Sequence, residues 1–146
     1  MFMMILKFLI LVTLGVSVLF FLLGLISQKG KSKGFENGRL ADCPATPNAV
    51  SSEPGTQPEK AVKPLKANLD DVMDAIRKTG GVITSHSDDY VSATYMSGLF
   101  KFVDDVEVRV DRDATEDICH IRSASRVGYS DRGANRRRVA AIRAAL

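Results

Sequence analysis

The sequence predicts an α+β fold: a small antiparallel β-sheet of about four strands with two packed helices, preceded by an N-terminal transmembrane helix. Three observations lead to this prediction. Residues 8–26 carry no charge, an apolar stripe at helical spacing runs through residues 69–76, and four strand-like runs lie between residues 82 and 126. One helix, four strands and a closing helix are typical of a domain whose helices cover one face of a sheet.

The N-terminal run FLILVTLGVSVLFFLLGLI, from Phe8 to Ile26, is long enough to cross a membrane. As a helix it would span about 28 Å, close to the roughly 30 Å thickness of the hydrocarbon core. The sequence GLISQKG at its end offers no convincing cleavage site, which favours an uncleaved anchor over a signal peptide. We therefore assign residues 1–27 to the transmembrane anchor of a single-pass protein.

The charges that flank this run do not decide on which side of the membrane the C-terminal domain lies. Lys29, Lys31 and Lys33 outweigh Lys7, which by the positive-inside rule keeps the C-terminal domain in the cytoplasm. A short N-terminus led by Lys7 equally suits export of the domain.

All five prolines lie between Pro44 and Pro64, within the polar residues 28–67. Proline-rich polar segments are typically extended and poor in backbone hydrogen bonds. We interpret residues 28–67 as a Pro-rich polar tether that partly wraps the domain, and residues 68–146 as the α+β domain itself.

The first helix of the domain has the strongest local signals. Asn68 is a favourable N-cap, and Gly80 with Gly81 ends the helix. Its apolar stripe consists of Leu69, Val72, Met73 and Ile76. The strands are predicted at about 82–86, 90–97, 102–111 and 118–126, and the closing helix at about 135–145.

The distribution of charge argues against a nucleic-acid-binding protein. The net charge of +3 comes from residues 1–34, which contain four lysines and no acid. In the rest of the chain, seven acids of residues 104–117 are balanced by seven arginines of residues 122–146. A non-specific nucleic-acid binder needs a clear positive excess, so these charges are expected to pair with each other.

Asp104 breaks the alternation of its strand. It lies in phase with Phe102 and Val106, on the apolar face, where a carboxylate is costly unless it is paired. We expect its partners among the hydroxyls and guanidinium groups of the segment RSASR, residues 122–126. Asp105 faces the other way, toward the face that holds Arg122 and Arg126.

Three consecutive arginines, Arg136 to Arg138, open the last helix, where the helix dipole disfavours cations. They require an anion, which is either internal, from the acids of residues 104–117, or external, such as a phosphate, a sulfate or a lipid head group. Arginine suits both an internal and an external anion, because its planar guanidinium group binds carboxylate and phosphate bidentately.

Signals for catalysis, metals and cofactors are weak. Ser123 and Ser125 would need a base, and His120 lies on the opposite face of their strand. The histidines and cysteines have no ligand-like spacing, so we expect no metal and no cofactor. Whether Cys43 and Cys119 pair is left open.

The chain contains three motifs in this order: CPATPNAVSS (43–52), LFKFVDDVEVRVD (99–111) and IRSASRVGYSDRGANRRRV (121–139). In these motifs the chain resembles the family catalogued as domain of unknown function 1499. The resemblance covers about residues 40–146 and implies a bacterial or plastid protein with an N-terminal membrane, lipoprotein or targeting segment, without an established activity. The family pattern includes the positions Asp104, Asp105, Arg122, Ser123, Ser125, Arg126, Gly128, Tyr129, Ser130, Asp131, Gly133, Asn135, Arg136 and Arg138.

One position departs from the family pattern. Where the resemblance implies a second cysteine in the first motif, this chain has Ala49, so Cys43 has no local thiol partner. Family habit nevertheless implies that the domain lies on the extracytoplasmic side of the membrane.

From these observations we expect a membrane-anchored, non-catalytic binding or envelope-associated module that binds an anionic small molecule or lipid head group. The expected ligand-binding residues are Arg122, Ser123, Ser125, Arg126, Arg136 and Arg138, supported by Asp104, Asp105, Tyr129, Asp131 and Asn135. Two alternatives stay open. One is a hydrolase-like enzyme on an envelope substrate, with Asp104 or Asp105 as general base, and the other is a purely structural domain whose arginines are internally paired.

Overall fold

The computed structural model describes all 146 residues, apart from the side chain of Glu36. The helices are α1 (Phe2–Gln28), α2 (Leu69–Lys78) and α3 (Ala134–Ala144). The strands are β1 (Phe35–Glu36), β2 (Arg39–Leu40), β3 (Ala49–Ser51), β4 (Leu65–Lys66), β5 (Val82–His86), β6 (Tyr90–Met96), β7 (Val103–Val110) and β8 (Ile118–Ser125).

The main sheet has six antiparallel strands. Five follow the order β3-β8-β7-β6-β5, and β4 pairs with β8 beside β3. The strands β1 and β2 form a separate hairpin. The predicted α+β fold with an antiparallel sheet is confirmed, and the sheet is larger than the expected four strands because β3 and β4 extend it.

The segment predicted as a tether therefore packs against the domain over much of its length. Val50 and Leu65 are buried in the core, and Ser51 bonds through its backbone to Lys60 and Val62. The prolines lie outside both strands: β3 lies between Pro47 and Pro54, and β4 begins directly after Pro64. Strands of two and three residues are too short for alternation to be visible in the sequence.

Both helices of the domain pack on one face of the sheet, as expected. The Asn68 side chain accepts a hydrogen bond from the backbone N–H of Asp71 at 2.9 Å, which confirms it as the N-cap of α2. Ile76 of α2 and Ile142 of α3 are fully buried against the sheet. The core thus lies between the helices and the valine-bearing face of β6 and β7.

The helix α1 is long and apolar enough to cross a membrane, with a mean hydropathy of 2.9 over its most apolar window. A signal sequence near an N-terminus has the same properties. The C-terminal end of α1 contacts the domain, where the Ser27 hydroxyl accepts a hydrogen bond from the backbone N–H of Val103 at 3.0 Å. This contact fixes the end of α1 beside the start of β7.

Candidate functional site

The alternation of side chains along β8 divides the predicted site between two faces of the sheet. Ser123 and Ser125 face the helices, whereas Arg122 faces the opposite side, which is covered by the segment that follows α1. The predicted residues therefore form two clusters. We call them the inner cluster, on the helix side, and the outer cluster, on the opposite side.

The outer cluster is centred on a buried ion pair between Arg122 and Glu107. The two side chains are 4% and 0% exposed, and Arg122 donates to the carboxylate at 2.9 Å. The second oxygen of Glu107 accepts hydrogen bonds from the Tyr90 hydroxyl at 2.8 Å and from the backbone N–H of Gly34 at 2.5 Å. Burial, reinforced by the charge of Glu107, raises the pKa of the Tyr90 phenol above its usual range.

Arg126 and Asp105 form the second pair of the outer cluster. Arg126 donates two hydrogen bonds to the carboxylate, at 2.8 and 2.7 Å, and a third to the Ser27 carbonyl of α1 at 3.1 Å. The bonds to Asp105 raise the pKa of the Arg126 guanidinium. A cation at the C-terminal carbonyls of a helix is favourable, so Arg126 ties α1 to the sheet.

Glu53 forms a third ion pair on this face. It accepts two hydrogen bonds from Arg109, at 2.6 and 2.9 Å, one from Arg39 at 3.2 Å and one from the backbone N–H of Leu40 at 3.0 Å. Burial alone would raise the pKa of Glu53, but these hydrogen bonds outweigh it and lower the pKa to about 2. Glu53 lies in the segment interpreted as a tether and was therefore not among the predicted site residues.

The inner cluster gives Asp104 its partner. Arg138 of α3 donates to the Asp104 carboxylate at 2.6 Å, to the Ser123 hydroxyl at 3.1 Å and to the Asn135 carbonyl oxygen at 2.5 Å. The same guanidinium lies over the ring of Tyr95, 4.7 Å from its centroid. The expected guanidinium partner of Asp104 therefore comes from α3, while Ser123 of the RSASR segment shares that arginine.

Asn135 is the hub of the inner cluster and is fully buried. Its carbonyl oxygen accepts from the Ser123 hydroxyl at 2.6 Å, and its amide donates to the Asn48 carbonyl at 2.9 Å and to the Ser125 hydroxyl at 3.1 Å. Through these bonds Asn135 joins α3, β8 and the segment before β3.

The other arginines at the start of α3 also have internal partners. Arg136 donates to the backbone carbonyls of Glu59 and Ala61, at 2.7 and 3.0 Å, and Arg137 to that of Arg132 at 2.9 Å. Backbone carbonyls thus offset the unfavourable placement of these cations. Arg136 lies apart from both clusters.

The anion at the N-terminus of α3 is the carboxylate of Asp131. Its oxygens accept hydrogen bonds from the backbone N–H groups of Gly133 and Asn135, at 2.9 and 2.7 Å. Tyr129 is 74% exposed in the preceding turn, away from the buried hydrogen bonds. The backbone N–H groups at this helix end are therefore bound by an acid of the turn itself, whereas the expected acid of residues 104–117 is Asp104, which binds Arg138.

A Ser–His–Asp arrangement occurs on the outer face of the sheet. The Ser52 hydroxyl lies 3.3 Å from Nδ1 of His120, whose Nε2 lies 3.2 Å from the Asp111 carboxylate. However, the Nδ1 atom is closer to the backbone carbonyl of Ser52, at 2.9 Å, and the hydroxyl accepts the Ile121 N–H at 2.8 Å. Both Ser52 and His120 are buried, and these bonds join β8 to Asp111 after β7 and to Ser52 after β3.

The two cysteines are free thiols. Cys119 is buried, and its thiol donates to the Ala67 carbonyl at 3.3 Å. Burial raises the pKa of Cys119 to about 11, which keeps it protonated and unreactive at neutral pH. Cys43 is partly buried, and burial raises its pKa as well.

A cavity of about 380 Å³ lies between the segment that follows α1 and the end of β8. Its charged and polar lining includes Lys31, Lys33, Asn48, Asp105, Arg122, Ser125 and Arg126. The Nε atom of Arg122 is buried and has no hydrogen-bond partner among the described atoms. The cavity therefore combines three of the predicted site residues, Arg122, Ser125 and Arg126, with two lysines outside the predicted set.

Comparison with curated protein sequences and with solved structures gives no match for this chain. A protein family matches it over residues 39–146, a range that includes β2, β3 and β4 as well as the predicted domain. Because this match covers well over half of the chain, the protein belongs to the family described as "protein of unknown function (DUF1499)".

Proposed function

We propose that the protein is a membrane-anchored, non-catalytic binding module whose cavity beside β8 takes the anionic phosphate of a lipid head group. The main support is the pair of lysines, Lys31 and Lys33, at the cavity. Among the side chains that the structure describes, neither lysine has a carboxylate partner. The arginines around them are already bound to acids, so the lysines carry the charge that attracts a ligand.

The position of the lysines along the chain supports a lipid as the source of the phosphate. Lys31 and Lys33 follow Gln28, the last residue of α1, by a few residues. Where α1 spans a membrane, these lysines lie at the level of the head groups, where basic residues interact with anionic lipids. The cavity then opens at the membrane surface.

The pairing of the two candidate bases supports a binding function over a hydrolase-like one. Asp104 is bound by Arg138, and Asp105 by both donor groups of Arg126. A general base must reach the proton that it abstracts. Carboxylate oxygens that already accept hydrogen bonds from guanidinium groups are poor general bases.

Anionic lipid is expected to stabilise the full-length protein in neutral detergent. At about 100 times its dissociation constant, a ligand that binds only the folded state adds roughly 2.7 kcal/mol to the free energy of unfolding. Thermal unfolding would be measured with short-chain phosphatidylglycerol, short-chain phosphatidylcholine and inorganic phosphate. We expect a clear upward shift of Tm with phosphatidylglycerol and little with phosphatidylcholine, while a shift with phosphate alone would identify a free anion as the ligand.

The double variant Lys31→Gln/Lys33→Gln is expected to lose most of this shift, at roughly 1 kcal/mol for each lysine. Its control is Lys63→Gln/Lys78→Gln, which removes two exposed lysines outside the cavity. If no anion shifts Tm, or if both double variants respond equally, the anion site is wrong and the purely structural alternative takes its place.

We further propose that the domain is extracytoplasmic. The family resemblance supports this side, whereas the lysines after α1 favour the cytoplasm. A topology reporter fused after Leu146 is expected to be active outside the cytoplasm, and activity inside would reverse the assignment.

A further inference from the structure

The loop between β6 and β7 is apolar and lies against α1. Its sequence from residue 97 to residue 102 is SGLFKF. Leu99 at its tip is 78% exposed, and Met96 just before it is 58% exposed. Large apolar side chains that cluster at one exposed edge are typical of a surface that contacts another apolar phase.

Aromatic contacts fix the position of this loop along α1. The ring of Phe100 lies 5.3 Å from that of Phe20, and the ring of Phe102 lies 6.2 Å from it. Phe20 precedes Ile26, the end of the uncharged run, by six residues. At 1.5 Å per residue, Phe20 lies about 9 Å from Ile26 along the helix axis, toward the N-terminal end of α1.

The backbone of the loop also packs directly on α1. A Cβ atom at Gly24 would overlap the carbonyl oxygen of Phe100, so this approach requires glycine. By contrast, a Cβ at Gly15 would contact nothing within 4 Å. The loop therefore docks in a gap that Gly24 leaves in the helix surface.

From this geometry we infer that the β6–β7 loop inserts Leu99 and Phe100 into the outer acyl layer of the bilayer beside α1, as a second membrane contact of the domain. The inference rests on the membrane-anchoring part of the proposed function. If Ile26 lies at the edge of the hydrocarbon, the contact with Phe20 places Phe100 inside it, and the loop continues the apolar surface of α1.

The charges and hydrogen bonds around the loop fit this depth. Lys101 is exposed beside the aromatic rings, where its long side chain can reach the head groups. The backbone of Ser97 donates to the Phe102 carbonyl at 2.8 Å, and the Ser97 hydroxyl accepts the Phe102 N–H at 2.9 Å. Gln28 donates to the Lys101 carbonyl at 3.4 Å. These bonds reduce the cost of placing a turn near hydrocarbon.

The chain contains no tryptophan, so single tryptophans can report depth. The full chain would be reconstituted in vesicles of phosphatidylcholine and phosphatidylglycerol, with and without brominated acyl chains. The variants are Leu99→Trp in the loop, Leu14→Trp within α1, and Thr115→Trp in the β7–β8 turn at the opposite end of the sheet. We expect brominated lipid to quench both Leu14→Trp and Leu99→Trp and to leave Thr115→Trp unchanged.

The possible outcomes distinguish failure of the loop insertion from failure of the membrane anchor α1. Quenching of Leu14→Trp without quenching of Leu99→Trp would overturn the inserted loop and leave the anchor standing. No quenching of Leu14→Trp would overturn both. A blue-shifted but unquenched Leu99→Trp would indicate that a second copy of the chain covers the loop.

A glycine substitution tests the docking step separately. In the Leu99→Trp background, Gly24→Ala is expected to push the loop from α1 and reduce its quenching, whereas the control Gly15→Ala is expected to have no effect. Equal quenching in both would overturn the docking of the loop in the Gly24 gap.

Discussion

Replacing Glu107 with glutamine is expected to lower the free energy of unfolding by about 3 to 5 kcal/mol. The substitution removes the carboxylate that compensates Arg122, whose side chain is only 4% exposed. The guanidinium then remains as a buried and unpaired charge, which is far more costly than the loss of the ion pair itself. Chemical unfolding of the full chain in detergent, followed by circular dichroism, would measure the change.

The matched control for this variant is Glu116→Gln. Glu116 pairs with Lys66 at 3.7 Å, but the two side chains are 72% and 80% exposed. An exposed pair of this kind contributes at most about 1 kcal/mol, so this control should change stability little. If Glu107→Gln proved as mild as Glu116→Gln, Arg122 would not depend on Glu107 in solution.

A double substitution distinguishes the cost of the unpaired Arg122 charge from the cost of losing the hydrogen bonds and packing of Glu107. The variant Glu107→Leu/Arg122→Met removes both charges and keeps apolar volume, so it is expected to be more stable than Glu107→Gln. A double variant less stable than the single one would mean that the hydrogen bonds of Glu107 to Tyr90 and Gly34 dominate.

Replacing Asn135 with alanine is expected to lower the free energy of unfolding by about 2 to 3 kcal/mol. The amide is fully buried and hydrogen-bonds to Ser123, Ser125, Arg138 and the carbonyl of Asn48. Its removal leaves buried polar groups short of partners and opens a small void. The same unfolding measurement applies.

A second asparagine provides the comparison for this prediction. Asn68 caps α2 at the surface, and its replacement with alanine is expected to cost about 1 kcal/mol. The conservative change Asn135→Asp should also be destabilising, because it removes the donors to Asn48 and Ser125. Tolerance of Asn135→Asp would contradict the role of the amide as a donor.

The sequence predicted the α+β fold because its signals are local and agree with each other. The Asn68 cap, the stripe on α2 and the alternation along β7 each depend on neighbouring residues alone. The phase of Asp104 correctly indicated a carboxylate on the helix side. Which arginine binds it could not be predicted, because Arg138 arrives there through the packing of α3.

Other parts of the molecule depend on contacts between distant residues. Glu107 alternates with the core residues of β7 and looks like part of an exposed face, yet the segment after α1 covers it. The antiparallel register of β7 and β8 is the feature that indicates the partner of Glu107, because it places Glu107 directly opposite Arg122. No comparable local signal marks Glu53, or the lysines that line the cavity.

The central claim is that Arg122, Arg126 and Arg138 hold the domain together through internal ion pairs, and arginine modification tests it most directly. Native full-length protein would be treated with phenylglyoxal and the modified sites mapped by mass spectrometry. Arg122, Arg126 and Arg138, whose side chains are 4%, 12% and 14% exposed, are expected to stay unmodified until the protein unfolds. The exposed Arg132 and Arg137 are expected to react readily. Reaction of the three paired arginines at the rate of Arg132 would contradict the claim.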